Sequence, residues 1–457
     1  MRSGIPTRVG AASRASRPGR TGRVVSALLA FVLATNACQV HDQPSSPPSP
    51  TARPELPGPL IAYTVPRATP WFDSGEVGFV LTEGSDRIAG WNKQVGASRF
   101  ADLSGPAFTT DGRYAFAQYA DEQAGRYPYD GGDIHAELVW IDVASRQTHV
   151  VAIPAQSRSD SQRPSRPGVP YPLQGSTIVW QAPATADAPD GRVTLMQLDL
   201  SRPSPMPSLL RTVQLPPRTP EQRAVPAEAQ DFTGNVIGAG HGRVAIVKKY
   251  GSDRFSQADR LFVVDADADA DGTVRDVVHQ PTRQWISAVF SPDGTRVAYE
   301  TGAIDKTGSC DRHQVTVFDS ATGHQAAGFP PGPFDASPRP YFYGNQSGAV
   351  WWTSDGRLRA TAGAEQCPAN RSEPTSDGGV WELNGGQWTQ VAPSETYRDY
   401  PLPNGDAVII AKVPRPPDEQ QPNQPPTVTS LFIRQGDQRV HIADVDAPAV
   451  AVGPTKP

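Results

Sequence analysis

A short unit of two strands joined by an Asp-Gly turn recurs along this chain, and it restricts the possible folds more than any other feature. The unit is clearest in VFSPDGTRVAYE, residues 289–300, where two apolar runs of alternating pattern flank Ser-Pro-Asp-Gly. Proline presets φ for a turn, aspartate bonds to its own backbone, and glycine accepts a positive φ. Pro292, Asp293 and Gly294 are therefore interpreted as turn residues, and Asp293 is predicted to be structural rather than a catalytic acid.

Further copies of this hairpin occur at regular intervals, and each is followed by a second hairpin. Copies of the first hairpin lie at 107–119, 235–250, 349–362 and 400–413, with a looser copy at 171–182. The second hairpins lie at 137–153, 193–215, 261–279, 314–329, 379–391 and 430–445. About six four-stranded units thus run from residue 105 to 445, roughly 45 to 60 residues apart. This period predicts a β-propeller, because stacking such sheets around an axis buries the faces that a single sheet leaves exposed.

Strands outside these copies are expected to complete the ring. Apolar runs at 60–64, 77–81 and 87–91 supply three strands before the first full repeat, and 448–453 supplies a strand at the end of the chain. Pairing the C-terminal strand with the first three would close the ring. The sequence therefore predicts an all-β chain with a single β-propeller over residues 60–453. Its four-stranded antiparallel blades number seven, with six or eight as alternatives.

One repeat also resembles a known family. FSPDGTRVAYE, with VTVFDSATG downstream at 315–323, resembles the WD40-like repeats of the TolB-type propeller. The resemblance extends over the propeller region, although only this copy is close. It implies the fold but not a function, since such blades occur in transport-complex proteins, peptidase propellers and sugar-active enzymes.

The N-terminal residues have the pattern of an export signal. Residues 1–37 carry six arginines and no acidic residue, and they include the apolar run VVSALLAFVLA at 24–34, which is too short to span a bilayer as a helix. TNAC, ending at Cys38, resembles a bacterial lipobox, although Thr35 and Asn36 depart from the usual residues. We expect residues 1–37 to be a signal peptide and Cys38 to be lipidated, with ordinary cleavage after Ala37 as the alternative.

A Pro- and Ser-rich segment follows at 38–59 and is typical of an extended spacer, with an unstructured terminus as the alternative. These features predict a lipid-anchored protein at the outer face of the cell membrane or in the cell envelope, or else a secreted protein. Without residues 1–37 the chain holds 36 basic and 47 acidic residues, for a net charge near −11. Such an acidic body argues against a nucleic-acid partner.

Two candidate sites follow from the cysteines and from an acidic run. Cys310 and Cys367 lie in equivalent loops of adjacent predicted blades, so a disulfide is expected between them, with two free surface thiols as the alternative. Asp267, Asp269 and Asp271, followed by glycine, match the start of a calcium loop. The twelfth position is valine rather than glutamate, so the sequence allows either a structural calcium site or an acidic turn.

The loops between the second and third strands of the predicted blades, called b–c loops, are the expected binding surface. They are long, and loops on a rigid scaffold often bind ligands, although they are also sites of tolerated insertions. The predicted binding residues are Tyr127, Tyr129, Asp130, Asp133, His135, Lys248, Lys249, Tyr250, Arg254 and Phe255.

Contiguous catalytic motifs such as G-x-S-x-G and H-E-x-x-H do not occur. A membrane-tethered module that binds a protein or an envelope glycan is therefore favoured. The alternative is a propeller-type hydrolase or lyase that acts on an envelope or sugar substrate.

Overall fold

Antiparallel strand pairing organises the described residues into seven separate sheets. The computed structural model describes residues 58–65, 75–96, 99–123, 134–154, 168–183, 189–220, 234–248, 250, 260–266, 274–278, 288–304, 311–330, 332, 350–362, 379–393, 395–415, 427–445 and 449–453. Six sheets contain four strands and one contains three. Each sheet uses strands that are consecutive in sequence, except the one that joins the last strand to the first three.

The strands are numbered in chain order. Those of the first half are β1 (Leu60–Val65), β2 (Gly75–Glu83), β3 (Asp86–Val95), β4 (Arg99–Phe108), β5 (Tyr114–Gln123), β6 (Ile134–Asp142), β7 (Thr148–Ile153), β8 (Tyr171–Gln174), β9 (Thr177–Gln181), β10 (Arg192–Asp199), β11 (Ser208–Gln214), β12 (Asn235–Gly240) and β13 (Arg243–Lys248). Those of the second half are β14 (Arg260–Asp265), β15 (Val274–Val278), β16 (Ala288–Phe290), β17 (Arg296–Ile304), β18 (Asp311–Asp319), β19 (Val350–Trp352), β20 (Leu358–Ala362), β21 (Gly379–Asn384), β22 (Gln387–Ala392), β23 (Thr396–Pro401), β24 (Ala407–Pro414), β25 (Thr427–Gln435), β26 (Gln438–Asp444) and β27 (Val450–Val452).

These sheets are the blades of a seven-bladed β-propeller. Blade 1 has the strand order β27-β1-β2-β3, and blades 2 to 7 follow as β4–β7, β8–β11, β12–β15, β16–β18, β19–β22 and β23–β26. The innermost strands of neighbouring blades contact one another, as β27 does with β4, β8 with β12, and β12 with β16. The strands of each blade are named a to d from the centre outwards.

The C-terminal strand closes the ring as the sequence predicted. In β27, Val450, Ala451 and Val452 pair with Tyr63, Ala62 and Ile61 of β1. The backbone N–H of Thr64 also donates to the carbonyl of Ala449, at 3.0 Å. The innermost strand of blade 1 therefore comes from the opposite end of the chain to the other three.

Blade 5 differs from the predicted four-stranded pattern within the described residues. The hairpin expected at 314–329 forms only its first strand, β18. The outer position holds isolated bridges that pair Gln325 with Phe318 and Gly332 with Val315. The N–H of Ala326 donates to Val317, at 2.8 Å. Backbone groups of His324, Ala326 and Gly332 thus form hydrogen bonds with the outer edge of β18 without forming a regular strand.

The turns between strands a and b have the conformation that the repeats predicted. Gly294 has φ +69°, and Asp293 accepts hydrogen bonds from the Ser291 hydroxyl at 2.5 Å and the Thr295 N–H at 3.1 Å. The hydrogen bond from Ser291 contributes most to lowering the pKa of Asp293, to about 2. These contacts agree with the structural role that the sequence indicated for Asp293.

Apolar residues of strand b alternate between the two neighbouring blades, which explains why these strands have continuous apolar runs. In β5, Ala115 and Ala117 pack toward blade 1, whereas Tyr114 and Phe116 pack toward blade 3. Strand side chains point alternately to opposite faces of the sheet, and here both faces are buried. The hydrophobic core is accordingly divided into layers between blades.

Candidate functional site

The two ends of the blades carry different kinds of connection. The a–b and c–d turns lie at one end, called here the turn face, and the b–c loops and the d–a connections lie at the other, called the loop face. Strand b of every blade runs from the turn face to the loop face, because it follows an a–b turn and precedes a b–c loop. The predicted binding surface corresponds to the loop face.

Most of the predicted site residues lie outside the described residues. These are Cys38, Asp267, Asp269, Asp271, Cys310 and Cys367, and, among the predicted binding residues, Tyr127, Tyr129, Asp130, Asp133, Lys249, Arg254 and Phe255. The lipid anchor, the calcium loop and the disulfide therefore stay predictions. His135, Lys248 and Tyr250 are described, and each lies in a polar cluster at the loop face.

His135 belongs to a cluster in the layer between blades 1 and 2. We call Lys93, Tyr119, Asp121, His135 and Glu137 the His135 cluster. The imidazole Nε2 of His135 lies 3.3 Å from Glu137 Oε1, and Nδ1 lies 4.0 Å from Asp121 Oδ2. The Tyr119 hydroxyl donates to Asp121 Oδ2 at 2.6 Å. Two carboxylates thus flank an imidazole whose side chain is 46% exposed.

A lysine from the outer strand of blade 1 completes this cluster. Lys93 Nζ donates to Glu137 Oε1 at 2.9 Å and lies 4.3 Å from the centre of the Tyr119 ring. An ammonium over an aromatic face is attracted by the ring quadrupole, and more strongly where water is partly excluded. Trp91 packs edge-on against Tyr119, with ring centroids 5.4 Å apart. The Tyr119 ring is therefore buried beneath Lys93, while the His135 imidazole remains accessible.

Lys248 and Tyr250 lie in a second cluster, between blades 3 and 4, and both are buried. Lys248 Nζ is 2.8 Å from Asp190 Oδ1 and donates to the carbonyl of Pro216 at 2.6 Å. The Tyr250 hydroxyl donates to the same carbonyl at 2.9 Å. Arg218 Nε also bonds to Asp190, at 3.0 Å. These side chains hold the b–c loop of blade 3 and the following d–a connection beneath the loop face.

The charges of this second cluster stabilise one another. Burial by itself raises the pKa of Asp190, but hydrogen bonds from Lys248 and Arg218 outweigh burial and lower it. The Lys248 side chain is 0% exposed, so its ammonium depends on these partners for the interactions that water would otherwise supply. Lys248 and Tyr250 therefore support the loop face from below, and their predicted binding role remains a prediction.

Polar side chains of strand b also join neighbouring blades. The Gln181 side chain donates to the carbonyl of Gly234 at 2.8 Å and accepts from the N–H of Val236 at 3.0 Å. Gln118 donates to the carbonyl of Gly168 at 3.2 Å, and Thr361 donates to the carbonyl of Tyr397. These bonds fix the backbone that leads into the next blade and thereby the spacing of loops on the loop face.

A network of buried charges lies between blades 6 and 7, and the sequence analysis did not identify it. Arg359 Nη2 is 2.6 Å from Glu382 Oε2, and Arg359 Nη1 is 3.1 Å from Asp399 Oδ1. The only sequence signal was an arginine and a glutamate inside the apolar runs LRATA and GVWEL. Lys93 and Glu137 gave no signal either, because their pairing depends on the contact between two blades.

In the part of the chain that the structure describes, no group of three or more histidine, cysteine, aspartate or glutamate residues is placed to hold a metal ion. No helix among those residues has both the length and the apolar character needed to cross a membrane.

Comparisons with known proteins define no family for this chain. No family model and no curated protein sequence matches it. Among solved structures, the β-propeller domain of the trilobed protease from Pyrococcus furiosus aligns at 9% identity and a TM-score of 0.38, over 76% of this chain and 97% of that one.

Two further matches have similar scores. Trypanosoma rangeli sialidase in complex with sialic acid aligns at 10% identity and a TM-score of 0.41, over 76% of this chain and 55% of that one. A putative 6-phosphogluconolactonase from Bacteroides uniformis aligns at 12% identity and a TM-score of 0.43, over 87% and 99%. At these scores the matches support no argument about activity, and the seven blades rest on the strand pairing.

Proposed function

We propose that this chain is an exported, membrane-tethered β-propeller that acts as a binding module for a protein or an envelope glycan through its loop face. The observation that supports this most strongly is the His135 cluster. It places an exposed imidazole beside a lysine and two carboxylates, at the base of the loop that bears Tyr127, Tyr129, Asp130 and Asp133. The export signal, Cys38 and the spacer support the tether.

The character of the described residues favours a protein over a glycan. Glycans commonly stack on open aromatic faces, but the Tyr119 ring is buried, with Lys93 over it and Trp91 in a T-shaped contact with it. The accessible groups are instead charged or hydrogen-bonding ones, His135 above all. Charged groups at the rim of an interface select partners of complementary potential.

Site-specific photocrosslinking in the native envelope tests the binding face. A photoreactive residue replaces His135 in one variant and His441 in another. His441 is a matched control, because it is also exposed and also pairs with an acid, Asp444 at 3.1 Å, but it lies on the outer strand of blade 7. A specific adduct at position 135 and none at position 441 is expected.

The partner found in this way is then purified and its affinity is measured. His135→Ala is expected to weaken binding by roughly fivefold to thirtyfold, which corresponds to about 1–2 kcal/mol, whereas His441→Ala leaves it unchanged. Adducts at position 441 alone, or equal affinity of both variants and the wild type, would reject the loop face as the binding surface.

One observation also supports the alternative of a hydrolase or lyase. Asp121, His135 and Glu137 combine an imidazole with two carboxylates, and such groups perform general acid–base catalysis. Incubation of the purified protein with envelope polysaccharides separates the two functions. Release of shortened products by the wild type but not by His135→Ala would favour the enzyme, whereas binding without turnover supports the module.

A further inference from the structure

The first described residues enter the propeller at its turn face. The chain begins blade 1 with strand b, and strand b runs from the turn face to the loop face. The carbonyl of Pro59 accepts a hydrogen bond from Gly84 N–H at 2.9 Å, and Gly84 lies in the c–d turn of this blade. A Cβ at Gly58 would lie 2.5 Å from Gly84 Cα, so the two backbones are in direct contact. The segment before Leu60 therefore leaves the body beside a turn.

The end of the propeller lies at the same place. Strand β27 runs antiparallel to β1 and therefore leads away from the loop face toward the turn face. After its last residue, the N–H of Gly453 donates to the carbonyl of Leu60 at 2.8 Å. Both ends of the described propeller thus meet at the turn face of blade 1.

The His135 cluster lies toward the opposite end of the blades. Strand β5 runs from Tyr114, beside an a–b turn, to Gln123 at the start of the b–c loop, and Tyr119 and Asp121 lie in its second half. His135 and Glu137 are among the first four residues of β6, which begins at the loop face directly after that loop. Ten strand residues span about 33 Å. The cluster and the chain ends are therefore separated along the height of the blades.

We propose that the anchored protein holds its turn face toward the membrane and its loop face away from it, so that the partner of the His135 cluster is a water-soluble protein region beyond the membrane surface rather than a lipid headgroup. This orientation rests on the proposed anchor at Cys38. A tether that joins the turn face to the membrane favours the orientation in which the turn face lies nearest to the membrane.

The length of the spacer supports this restriction. The 20 residues of 38–57 span at most about 60 Å in an extended polyproline-like conformation. To bring the loop face against the membrane, the spacer would have to pass outward across the two outer strands and then along the blade, a path of roughly 45 Å. A spacer that follows such a path is nearly fully extended and has few conformations. With the turn face toward the membrane, the spacer needs no such path and keeps many more of its conformations.

Energy transfer from the protein to vesicle lipids tests the orientation. The full mature chain carries a fluorophore, attached through a non-canonical residue, at either Ser85 or Gly96. These positions flank strand β3, with Ser85 in the c–d turn and Gly96 at the loop-face end, and a Cβ at Gly96 meets no atom within 4 Å. The labels are separated by about 36 Å. With acceptor lipids in the vesicle, transfer from position 85 is expected to be at least about twofold higher than from position 96.

A second form of the protein separates this inference from the proposed anchor. The chain with an N-terminal hexahistidine segment in place of Cys38 binds vesicles that contain nickel-chelating lipid, whether or not the natural chain is lipidated. Equal transfer from both positions, or higher transfer from position 96, overturns the orientation in either form. If the nickel-tethered form gives the expected ratio but the natural chain does not associate with vesicles, the geometry stands and the anchor at Cys38 is wrong.

Discussion

Removing Arg359 is expected to destabilise the propeller strongly, because it leaves charges buried between blades 6 and 7. The Arg359 side chain is 7% exposed, and those of Glu382 and Asp399 are each 5% exposed. Arg359 donates a hydrogen bond to the Glu382 carboxylate at 2.7 Å, forms an ion pair with the Asp399 carboxylate, and donates to the backbone carbonyl of Asp399 at 2.8 Å. The interactions with Arg359 therefore replace much of the hydration that the two buried carboxylates lose on folding.

The magnitude depends on the partners that remain. In Arg359→Ala, Glu382 keeps Arg357, at 2.8 Å, whereas the cation that Asp399 keeps among the described residues is Arg434, at 3.9 Å. Breaking a buried ion pair by removing one partner costs about 3–5 kcal/mol. Arg357→Ala is the matched control, since this arginine is 39% exposed and Glu382 retains Arg359. Its expected cost is below about 1 kcal/mol.

Equilibrium denaturation in urea, with thermal melting as a second probe, measures both variants. For a body of this size, a loss of about 4 kcal/mol lowers the melting temperature by roughly 5 °C. In a double-mutant cycle, Arg359→Ala and Asp399→Asn should be non-additive by about 0.5–3 kcal/mol. A cost of Arg359→Ala no larger than that of Arg357→Ala, or strict additivity in the cycle, would refute the reasoning.

Four further predictions concern the chain ends, the cysteines and the carboxylates. Cys38→Ala should move the protein from the membrane fraction to the soluble fraction, and a wild type that is already soluble would leave secretion as the explanation. Cys310 and Cys367 should appear as one linked peptide in non-reducing mass spectrometry of protein from its native compartment, and alkylation of both thiols would contradict the pairing. The pKa of Asp293 is lowered to about 2, so its stabilising contribution is complete above the unfolded value near 4. That contribution should be lost as the pH falls through the range from about 4 to 2, and Asp293→Asn should flatten this part of the pH–stability curve. If the run containing Asp269 binds calcium, a chelator should lower the melting temperature of the wild type but not of Asp269→Ala, and equal shifts would indicate an acidic turn.

Local residue patterns were sufficient to predict the blades, because each blade is made from adjacent hairpins. Asp293 and Gly294 define a turn whatever the rest of the chain does, since the aspartate bonds within its own turn and the glycine tolerates its positive φ. The apolar runs on both sides reflect strands that are buried on two faces. The same logic identified 448–453 as the strand that closes blade 1.

The sequence-based prediction was less accurate for the outer strand of blade 5. The hairpin at 314–329 has the composition of two strands, yet only β18 is regular in the described residues. The stretch PPGPF at 330–334 follows directly, and proline lacks the N–H that a strand ladder requires. The turn residues were visible in the sequence, but the irregular outer edge depends on how His324, Ala326 and Gly332 contact β18.

The sequence by itself determined the all-β class, the repeat and the ring closure, because these follow from short-range turn chemistry and from side-chain alternation along each strand. Only the tertiary structure decided which charges meet between blades. Lys93 and Glu137 are 44 residues apart, and Arg359 and Asp399 are 40 residues apart. Lys248 of blade 4 pairs with Asp190 of the neighbouring blade 3. The register between stacked sheets brings these residues together, and that register depends on the packing of whole blades rather than on any local pattern.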